Sequence, residues 1–248
     1  MPSAPWTPRH TAAALAGGHL LIAGAPGTGK SRLLNGTLLP ALVRAGDPLL
    51  VIQDPATGHG PTLGLRAATF GREAAAGDLL AQPTLVTFAG THPEREAQAE
   101  RLFADLPAAL AAAPAPAGPR RFLVIDVAPL TPALRSFAPL LRQARSLGCT
   151  LIVTCQSPSS LEPGLPALFT SHVAFYHFYK RCLRVMAENV LAATGAEETN
   201  PSGKPTPINR FGQPLATPAS RMVGRLGELK VGECFLVTPG APYEQLRT

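Results

Sequence analysis

Residues 24–31 read Gly-Ala-Pro-Gly-Thr-Gly-Lys-Ser and match the pattern G-x-x-x-x-G-K-[ST] at every fixed position. Glycines in such a loop let successive backbone N–H groups curl around an anionic phosphate, where side chains would collide. The pattern requires a buried strand before it and a helix after it, because the helix N-terminus adds the positive end of its dipole. The loop therefore restricts the chain to folds in which a strand–loop–helix unit is part of a sheet.

The residues on both sides of the loop meet this requirement. His19 to Ala23 form a short apolar run that predicts a strand, and Lys30 to Arg44 carries leucines at helical spacing. Pro40 is expected to kink or shorten that helix, because proline removes one backbone donor. The G-x-G-x-x-G spacing of dinucleotide sites is absent from the loop, which disfavours that class of ligand.

Further apolar runs predict an α/β fold. The strands are expected at residues 49–52, 84–88, 122–125, 150–154, 171–175 and 231–237, and helices at 93–113, 131–147 and 180–193. Strands that are apolar throughout are typical of a mostly parallel sheet with helices on both faces. We expect one domain over residues 1–248, with an N-terminal extension at 1–18, a polar Pro- and Gly-rich loop at 195–220 and closing strands at 221–248.

Composition excludes several other classes of protein. Hydrophobic residues make up 46% and charged residues 15% of the 248 positions, which argues against a disordered chain. No run approaches the roughly 18 apolar residues that a membrane helix needs. Of the 22 basic residues only four are Lys, and the formal charge is +6. An arginine-rich excess favours partners that carry phosphate, which guanidinium groups bind through two hydrogen bonds.

The four cysteines give no sign of a metal site or a disulfide framework. Cys149, Cys155, Cys182 and Cys234 form no C-x-x-C pair and have no histidine at zinc spacing. We therefore expect buried free thiols and a reducing, intracellular setting.

Polar residues at the strand ends complete a candidate nucleotide site. Asp126 follows an apolar strand, and its carboxylate is expected to hold Mg²⁺ together with the hydroxyl of Ser31. Lys30 is expected to contact the β- and γ-phosphates, which makes ATP and Mg²⁺ the predicted cofactors. The predicted nucleotide-binding residues are Gly24, Ala25, Pro26, Gly27, Thr28, Gly29, Lys30, Ser31 and Arg32.

The sequence leaves open which carboxylate orients the attacking water. In many such enzymes a Glu follows the metal-binding Asp, but Val127 follows Asp126 here. Asp54 or Glu162 are the alternative sources of that carboxylate. Gln156 ends the next apolar strand, where its amide can hydrogen-bond a γ-phosphate or the attacking water.

Five segments together resemble the HerA/FtsK superfamily of DNA-translocating ATPases. They are residues 20–31, 50–55, 123–126, 144–158 and 229–233, and the Arg, Gly, strand and Gln-Ser-Pro of the fourth are the most discriminating. The resemblance implies a RecA-like P-loop NTPase fold and a homo-oligomeric ring, most simply a hexamer. It also implies that Gln156 senses the γ-phosphate and that Arg145 reaches into a neighbouring subunit's site, with Arg142 as the competing arginine.

The polar loop at 195–220 is the predicted DNA contact. It carries Lys204, Arg210 and Phe211, with Arg221 just beyond, and such loops grip the phosphate backbone without reading sequence. A merely flexible insertion is the alternative. No zinc-finger, helix-turn-helix or basic-zipper pattern is present, which disfavours sequence-specific recognition.

The predicted function is an ATP-hydrolysing DNA translocase. Because the sequence shows neither a membrane anchor nor an extra domain, it most resembles the genome-packaging ATPases of icosahedral viruses with an internal membrane. We then expect it in the host cytoplasm or the virion, docked at a capsid vertex or a membrane channel. The alternatives are a plasmid-conjugation or FtsK-like transfer ATPase, and a nucleotide-binding assembly protein with weak hydrolysis, which Val127 favours. A small-molecule kinase would need a lid of clustered arginines, and none is visible.

Overall fold

Short apolar segments pair side by side into one ten-stranded sheet. The computed structural model describes residues 3–16, 18–53, 64–71, 75–113, 120–126, 138–162, 164–194, 218–239 and 241–248. The strands are β1 (Ala4–Pro5), β2 (Leu20–Ala23), β3 (Leu49–Gln53), β4 (Arg66–Thr69), β5 (Thr84–Thr87), β6 (Arg121–Asp126), β7 (Cys149–Cys155), β8 (Ser171–Phe175), β9 (Glu233–Val237) and β10 (Glu244–Arg247).

The strand order is β1-β10-β9-β8-β2-β7-β6-β3-β5-β4. The pairings from β8 to β4 are all parallel, whereas β9 runs antiparallel to both β8 and β10. The predicted mostly parallel sheet is therefore confirmed, and its antiparallel part is the closing segment of the chain.

Helices cover both faces of the sheet. They are α1 (Pro8–Ala16), α2 (Lys30–Leu33), α3 (Leu39–Ala45), α4 (Ala76–Leu79), α5 (His92–Ala112), α6 (Ala138–Gln143), α7 (Lys180–Thr194) and α8 (Pro218–Gly227). Successive residues of β2 point to opposite faces, so that Leu20 and Ile22 join one buried cluster and Leu21 and Ala23 the other. The first cluster packs against α1 to α3, and the second against α4 to α8.

The helix after the glycine-rich loop continues past Pro40. Between α2 and α3 the residues Leu34–Leu38 form one wide π-helical turn. A proline ring normally clashes with the carbonyl four residues earlier, and a wide turn just before it relieves that crowding. The predicted helix over residues 30–44 is therefore present without a break.

Two predicted boundaries are wrong. The helix expected at 131–147 ends at Gln143 in α6, and residues 144–148 form a turn in which the Cys149 N–H donates to the Ala144 carbonyl at 2.8 Å. Gly148 closes this turn with φ +65. Residues 218–227, expected to end the loop and to begin the closing strands, form helix α8 instead.

Three strands have no counterpart in the sequence prediction, namely β1, β4 and β10. They are short, and β1 and β10 carry exposed residues, so they lack the continuous apolar run that identifies a buried strand. β1 pairs with β10, which joins the two ends of the described chain at one edge of the sheet.

The four cysteines are free and buried, as predicted. Burial raises the pKa of Cys149 and of Cys155 to about 12, so both thiols are protonated at neutral pH. In the part of the chain that the structure describes, no helix has the length and apolar character to cross a membrane.

Two histidines are buried beside the central strands. His19 precedes β2 and accepts a hydrogen bond at Nδ1 from the Leu151 N–H at 3.1 Å. His172 lies in β8, and its Nε2 donates to the Phe169 carbonyl at 3.1 Å. Burial lowers the pKa of each ring to about 4, and for His19 the positive charge of Arg145 acts in the same direction.

These histidines predict a loss of stability in mild acid. Above pH 6.5 the rings are neutral in both the folded and the unfolded chain. Between pH 6.5 and about 4 the unfolded chain binds protons that the folded chain excludes, so the free energy of unfolding falls as the pH falls. The loss stops below the folded pKa, and for His172 alone it amounts to about 3 kcal/mol.

Urea unfolding between pH 7.5 and pH 4 measures this loss. His172→Gln keeps a donor at the end of the side chain but does not titrate, so this variant should lose about 3 kcal/mol less than the wild type across the window. Equal losses in the two proteins would contradict the assignment.

Candidate functional site

The register of the central strands brings the predicted site residues to one edge of the sheet. Ala23 at the end of β2 pairs with Cys155 at the end of β7, and Asp126 at the end of β6 pairs with Thr154. Gln53 at the end of β3 is the other neighbour of Asp126. Because all these strands are parallel, this carboxyl edge carries the loop, the carboxylate and the amide together.

The glycine-rich loop is held by the two strands that flank β2. The Gly24 N–H donates to the Cys155 carbonyl at 3.2 Å, and the Ala25 N–H donates to the Tyr176 carbonyl at 2.9 Å. These bonds continue the sheet by two residues, so the position of the loop is fixed by the ends of β7 and β8.

Lys30 points back into the loop. Its Nζ donates to the carbonyls of Gly24 and Ala25, at 2.7 and 2.8 Å. Burial lowers the pKa of Lys30, while the nearby Cys155 and Asp126 act in the opposite direction. The ammonium group therefore lies inside the curve of the loop, where a phosphate would need its charge.

A turn from the far end of the chain braces the loop. The Gly232 N–H donates to the Thr28 carbonyl at 2.9 Å, and the Thr248 N–H donates to the Gly232 carbonyl at 2.8 Å. Gly29 has φ +116, and a Cβ on it would lie 3.3 Å from the Gly232 Cα. Two glycines are thus needed where the loop and the turn meet.

The remaining loop residues differ in exposure. Thr28 is buried, and its hydroxyl donates to the Ala25 carbonyl at 2.8 Å, which closes the loop on itself. Ser31 is half-buried at the start of α2, whereas Pro26, Gly27 and Arg32 are exposed. The predicted binding segment therefore presents both backbone and the Ser31 hydroxyl at the carboxyl edge.

Both oxygens of Asp126 accept hydrogen bonds from neighbouring strands. The Thr154 hydroxyl donates to Oδ1 at 2.5 Å, and the Gln53 Nε2 donates to Oδ2 at 3.4 Å. Asp126 is 6% exposed, so the carboxylate is held in one orientation at the strand end. Gln53 and Thr154 were not predicted as site residues, and the only signal for them was their polar character at the ends of apolar strands.

Gln156 directly follows β7, two residues after Thr154, and is exposed. His177, which the sequence analysis also missed, lies behind it after β8 and is 4% exposed. Burial lowers the pKa of His177, the hydrogen bond with the Gln156 backbone opposes this, and the charge of Lys30 lowers the pKa further. His177 is therefore neutral at pH 7 and joins the Gln156 segment to the loop after β8.

Arg145 lies at the opposite edge of the sheet. A Cβ on Gly18 would be 2.9 Å from the Arg145 Nη2 and 3.2 Å from the Thr170 Oγ1. Gly18 precedes the amino end of β2, Arg145 that of β7 and Thr170 that of β8. Six residues of extended chain separate Gly18 from Gly24, which corresponds to about 20 Å. Arg145 is exposed and does not reach the loop of its own chain.

The competing arginine has a partner in its own chain. Arg142 forms an ion pair with Glu162 at 3.5 Å. Glu162, one of the two alternative carboxylates for orienting the attacking water, is therefore already paired. Arg145, in contrast, forms no ion pair with any residue that the structure describes.

Four predicted site residues lie outside the described ranges, namely Asp54, Lys204, Arg210 and Phe211, and so does Val127. Arg221 is described and is half-buried in α8.

The side chains at this edge suit a metal ion that is coordinated only partly by the protein and otherwise by a bound ligand and water. Among the described residues there is no cluster of three His, Cys, Asp or Glu side chains that would enclose a metal ion. Ser31 and Asp126 supply one hydroxyl and one carboxylate, which matches the way Mg²⁺ is bound in phosphate sites with water and phosphate oxygens as further ligands.

Known structures share this fold. No family model matches the sequence, and neither does any curated protein. The genome-packaging NTPase B204 from Sulfolobus turreted icosahedral virus 2, solved in complex with AMPPCP, superposes with a TM-score of 0.60 at 12% identity. The similarity covers 93% of this chain and 97% of B204.

A bacterial conjugative coupling protein, TrwB, superposes with a TM-score of 0.61 at 13% identity, over 92% of this chain and 84% of that one. The chain therefore has the fold of the FtsK/HerA-type P-loop ATPases, as the resemblance in its sequence implied.

The contact between the loop and β8 predicts that Gly24→Ala is destabilising. A Cβ at Gly24 would lie 2.5 Å from the Phe175 Cβ, which is too close without a backbone shift. We expect the free energy of unfolding to fall by about 1–3 kcal/mol, as for other overpacked sites. Urea unfolding provides the measurement.

Gly36→Ala is the matched control. A Cβ at Gly36 meets nothing within 4 Å, and alanine is better than glycine in a helix by up to about 1 kcal/mol. The control should be as stable as the wild type or more stable. If the two variants lost equal stability, the close approach of the loop to Phe175 would not be the cause.

Proposed function

We propose that this protein is an ATPase that moves DNA as one subunit of a ring. The observation that carries the proposal is the arrangement at the carboxyl edge: Lys30 follows β2, Asp126 ends β6, and Gln156 follows the strand between them. Phosphoryl transfer depends on positioning and on charge, with a cation on the phosphate, a carboxylate for the metal ion and a polar group for water. The edge supplies one of each.

ATP with Mg²⁺ is the ligand that suits this edge. The position of a Cβ on Gly27 has no atom within 4 Å, which leaves the loop backbone open to a phosphate. Lys30 would contact the phosphates, and Ser31 and Asp126 would hold the ion, which neutralises charge on the transferred group. The structures of B204 with AMPPCP and with ATP-γS support the choice of nucleotide.

Asp54 is the carboxylate that we propose for orienting the attacking water. It directly follows Gln53, whose amide contacts Asp126 at 3.4 Å, and the other alternative, Glu162, is paired with Arg142. Val127 stands where an acid would be expected, and this residue favours a second candidate function. That candidate is an assembly protein that binds ATP and hydrolyses it slowly.

Arg145 is proposed to act on the site of a neighbouring copy. Because Arg145 lies about 20 Å from the loop of its own chain, a phosphate that it contacts would have to be bound by another copy. An arginine in this role stabilises charge on the transferring group and is typically worth about 10³–10⁵ in rate.

Genome packaging is the role that we favour for the motor, with Lys204, Arg210, Phe211 and Arg221 as proposed DNA contacts. The similarity to B204, which extends over nearly the whole length of both chains, supports packaging. The similarity to TrwB supports DNA transfer in conjugation as the alternative. A packaging motor would dock at a capsid vertex, whereas a conjugation motor would dock at a membrane channel.

ATP turnover with and without DNA tests the proposal. Lys30→Met should lower turnover at least about 100-fold, because the phosphate charge loses its main cation. Arg44→Met removes an exposed cation from the same helical segment and should leave turnover unchanged. Duplex and single-stranded DNA at low salt should stimulate the wild type. Turnover that no DNA stimulates would favour the assembly protein, and full turnover in Lys30→Met would contradict the loop assignment.

Mixing two inactive variants tests the role of Arg145. Lys30→Met keeps Arg145, and Arg145→Ala keeps a complete loop, so a mixed ring contains sites built from one good half of each. In a 1:1 mixture about one quarter of the sites should regain activity if subunits assort at random. Arg142→Ala should be active alone. A mixture as inactive as its components would show that Arg145 does not act between copies.

A further inference from the structure

An exposed aromatic and basic surface lies beside the nucleotide edge. After β8 the chain runs through Phe178 and Tyr179 into the first turn of α7, and their side chains are 61% and 69% exposed. Burying an aromatic side chain removes about 150–250 Å² from water, so two neighbouring rings that stay exposed forgo a large stabilisation. We call residues 178–181 the ring–cation surface.

The rings of this surface are held in place. The Tyr179 N–H donates to the His177 Nδ1 at 3.1 Å, and the His177 ring packs against both Phe178 and Tyr179, with centroids 6.2 and 5.6 Å apart. Phe178 also packs edge-on against Tyr176 at 5.3 Å. A rigid, exposed pair of rings has little conformational entropy to lose when a flat partner stacks on it.

The charges of the surface select the partner. Lys180 and Arg181 are exposed, form no ion pair with a described residue, and occupy the first turn of α7, where the helix dipole disfavours cations. Arg184, one turn later, is instead paired with Glu188 at 3.0 Å. The partner must therefore offer negative charge together with flat apolar faces.

We propose that residues 178–181 bind a single strand of DNA, with bases stacked on Phe178 and Tyr179 and phosphates on Lys180 and Arg181. Exposed rings interleaved with cations are the combination that binds unpaired nucleic acid without sequence preference. This inference rests on the proposed function and adds to it the form of the substrate that contacts the motor next to its nucleotide site.

The same segment connects the surface to the nucleotide site. The Tyr176 carbonyl accepts the hydrogen bond from the Ala25 N–H of the loop, and His177 bonds the backbone of Gln156. Since Nδ1 of His177 accepts from Tyr179, its proton lies on Nε2, which is the atom free to donate to the Gln156 carbonyl. A DNA strand bound at residues 178–181 would therefore lie next in the chain to Tyr176 and His177, which contact the loop and Gln156.

Binding of a fluorescent (dT)20 strand, followed by anisotropy at low salt, tests the proposal. The double variant Phe178→Ala/Tyr179→Ala should bind at least about 30-fold more weakly, from about 1 kcal/mol or more for each lost stack. Phe178→Tyr/Tyr179→Phe keeps both rings and should bind within about twofold of the wild type. Lys180→Ala/Arg181→Ala should lower the slope of log K against log salt by about 1.4.

Controls separate this inference from the proposed function. Arg44→Ala removes an exposed cation elsewhere and should leave the (dT)20 affinity unchanged, and urea unfolding checks that each variant folds. A wild type that binds neither (dT)20 nor a 20-base-pair duplex would overturn the DNA function itself. If the wild type binds DNA and the double alanine variant binds it equally well, only the role of the ring–cation surface is overturned.

Two further results would also overturn the inference. An abasic strand that binds as tightly as (dT)20 would exclude stacking. Sedimentation that shows loss of self-association in the double alanine variant, with unchanged DNA affinity per chain, would identify residues 178–181 as a contact between copies.

Discussion

The backbone hydrogen bonds of Gly24 and Ala25 fix the whole carboxyl edge of the sheet. They extend the β2 ladder onto the ends of β7 and β8, so the glycine-rich loop is a continuation of the sheet. Parallel strands place all their carboxyl ends on one side, and there Gln53 ends β3, Asp126 ends β6 and Gln156 follows β7. Strand spacing and register therefore determine how the loop with Lys30 and the strand end with Asp126 lie relative to each other.

The closing segment belongs to the same construction. Gly232 lies about 200 positions after the loop, yet its N–H bonds the Thr28 carbonyl and its Cα faces Gly29. A side chain at Gly29 would crowd this contact, and Gly232 has φ +83, a conformation that favours glycine. The antiparallel strands β9 and β10 therefore brace the loop from the side away from β7, and any movement of the loop on binding phosphate must be shared with that turn.

Continuous apolar runs made the buried strands predictable, and with them the loop and Asp126, because a polar residue that ends such a run must lie at the sheet edge. The contacts of Asp126 were not predictable. Gln53 and Thr154 reach it because β3 and β7 flank β6, and strand order follows from packing that one sequence does not display. The short strands β1, β4 and β10 were not predictable because they lack a long apolar run. Helix α6 ends earlier than predicted because Gly148 closes a turn, although the apolar spacing of that segment is typical of a helix.

In the proposed function, the two edges of the sheet carry complementary parts of one catalytic site. Lys30, Asp126 and Gln156 lie at the carboxyl edge, whereas Arg145 lies about 20 Å away at the amino edge. In a two-fold dimer this contact would have to be made twice, with Arg145 of each copy at the carboxyl edge of the other. In a head-to-tail arrangement the amino edge of one copy meets the carboxyl edge of the next once per contact, and repetition of that contact closes into a ring when the rotation allows. The proposed action of Arg145 between copies therefore fits the head-to-tail ring that we propose for the motor, in which every site takes its arginine from the next subunit.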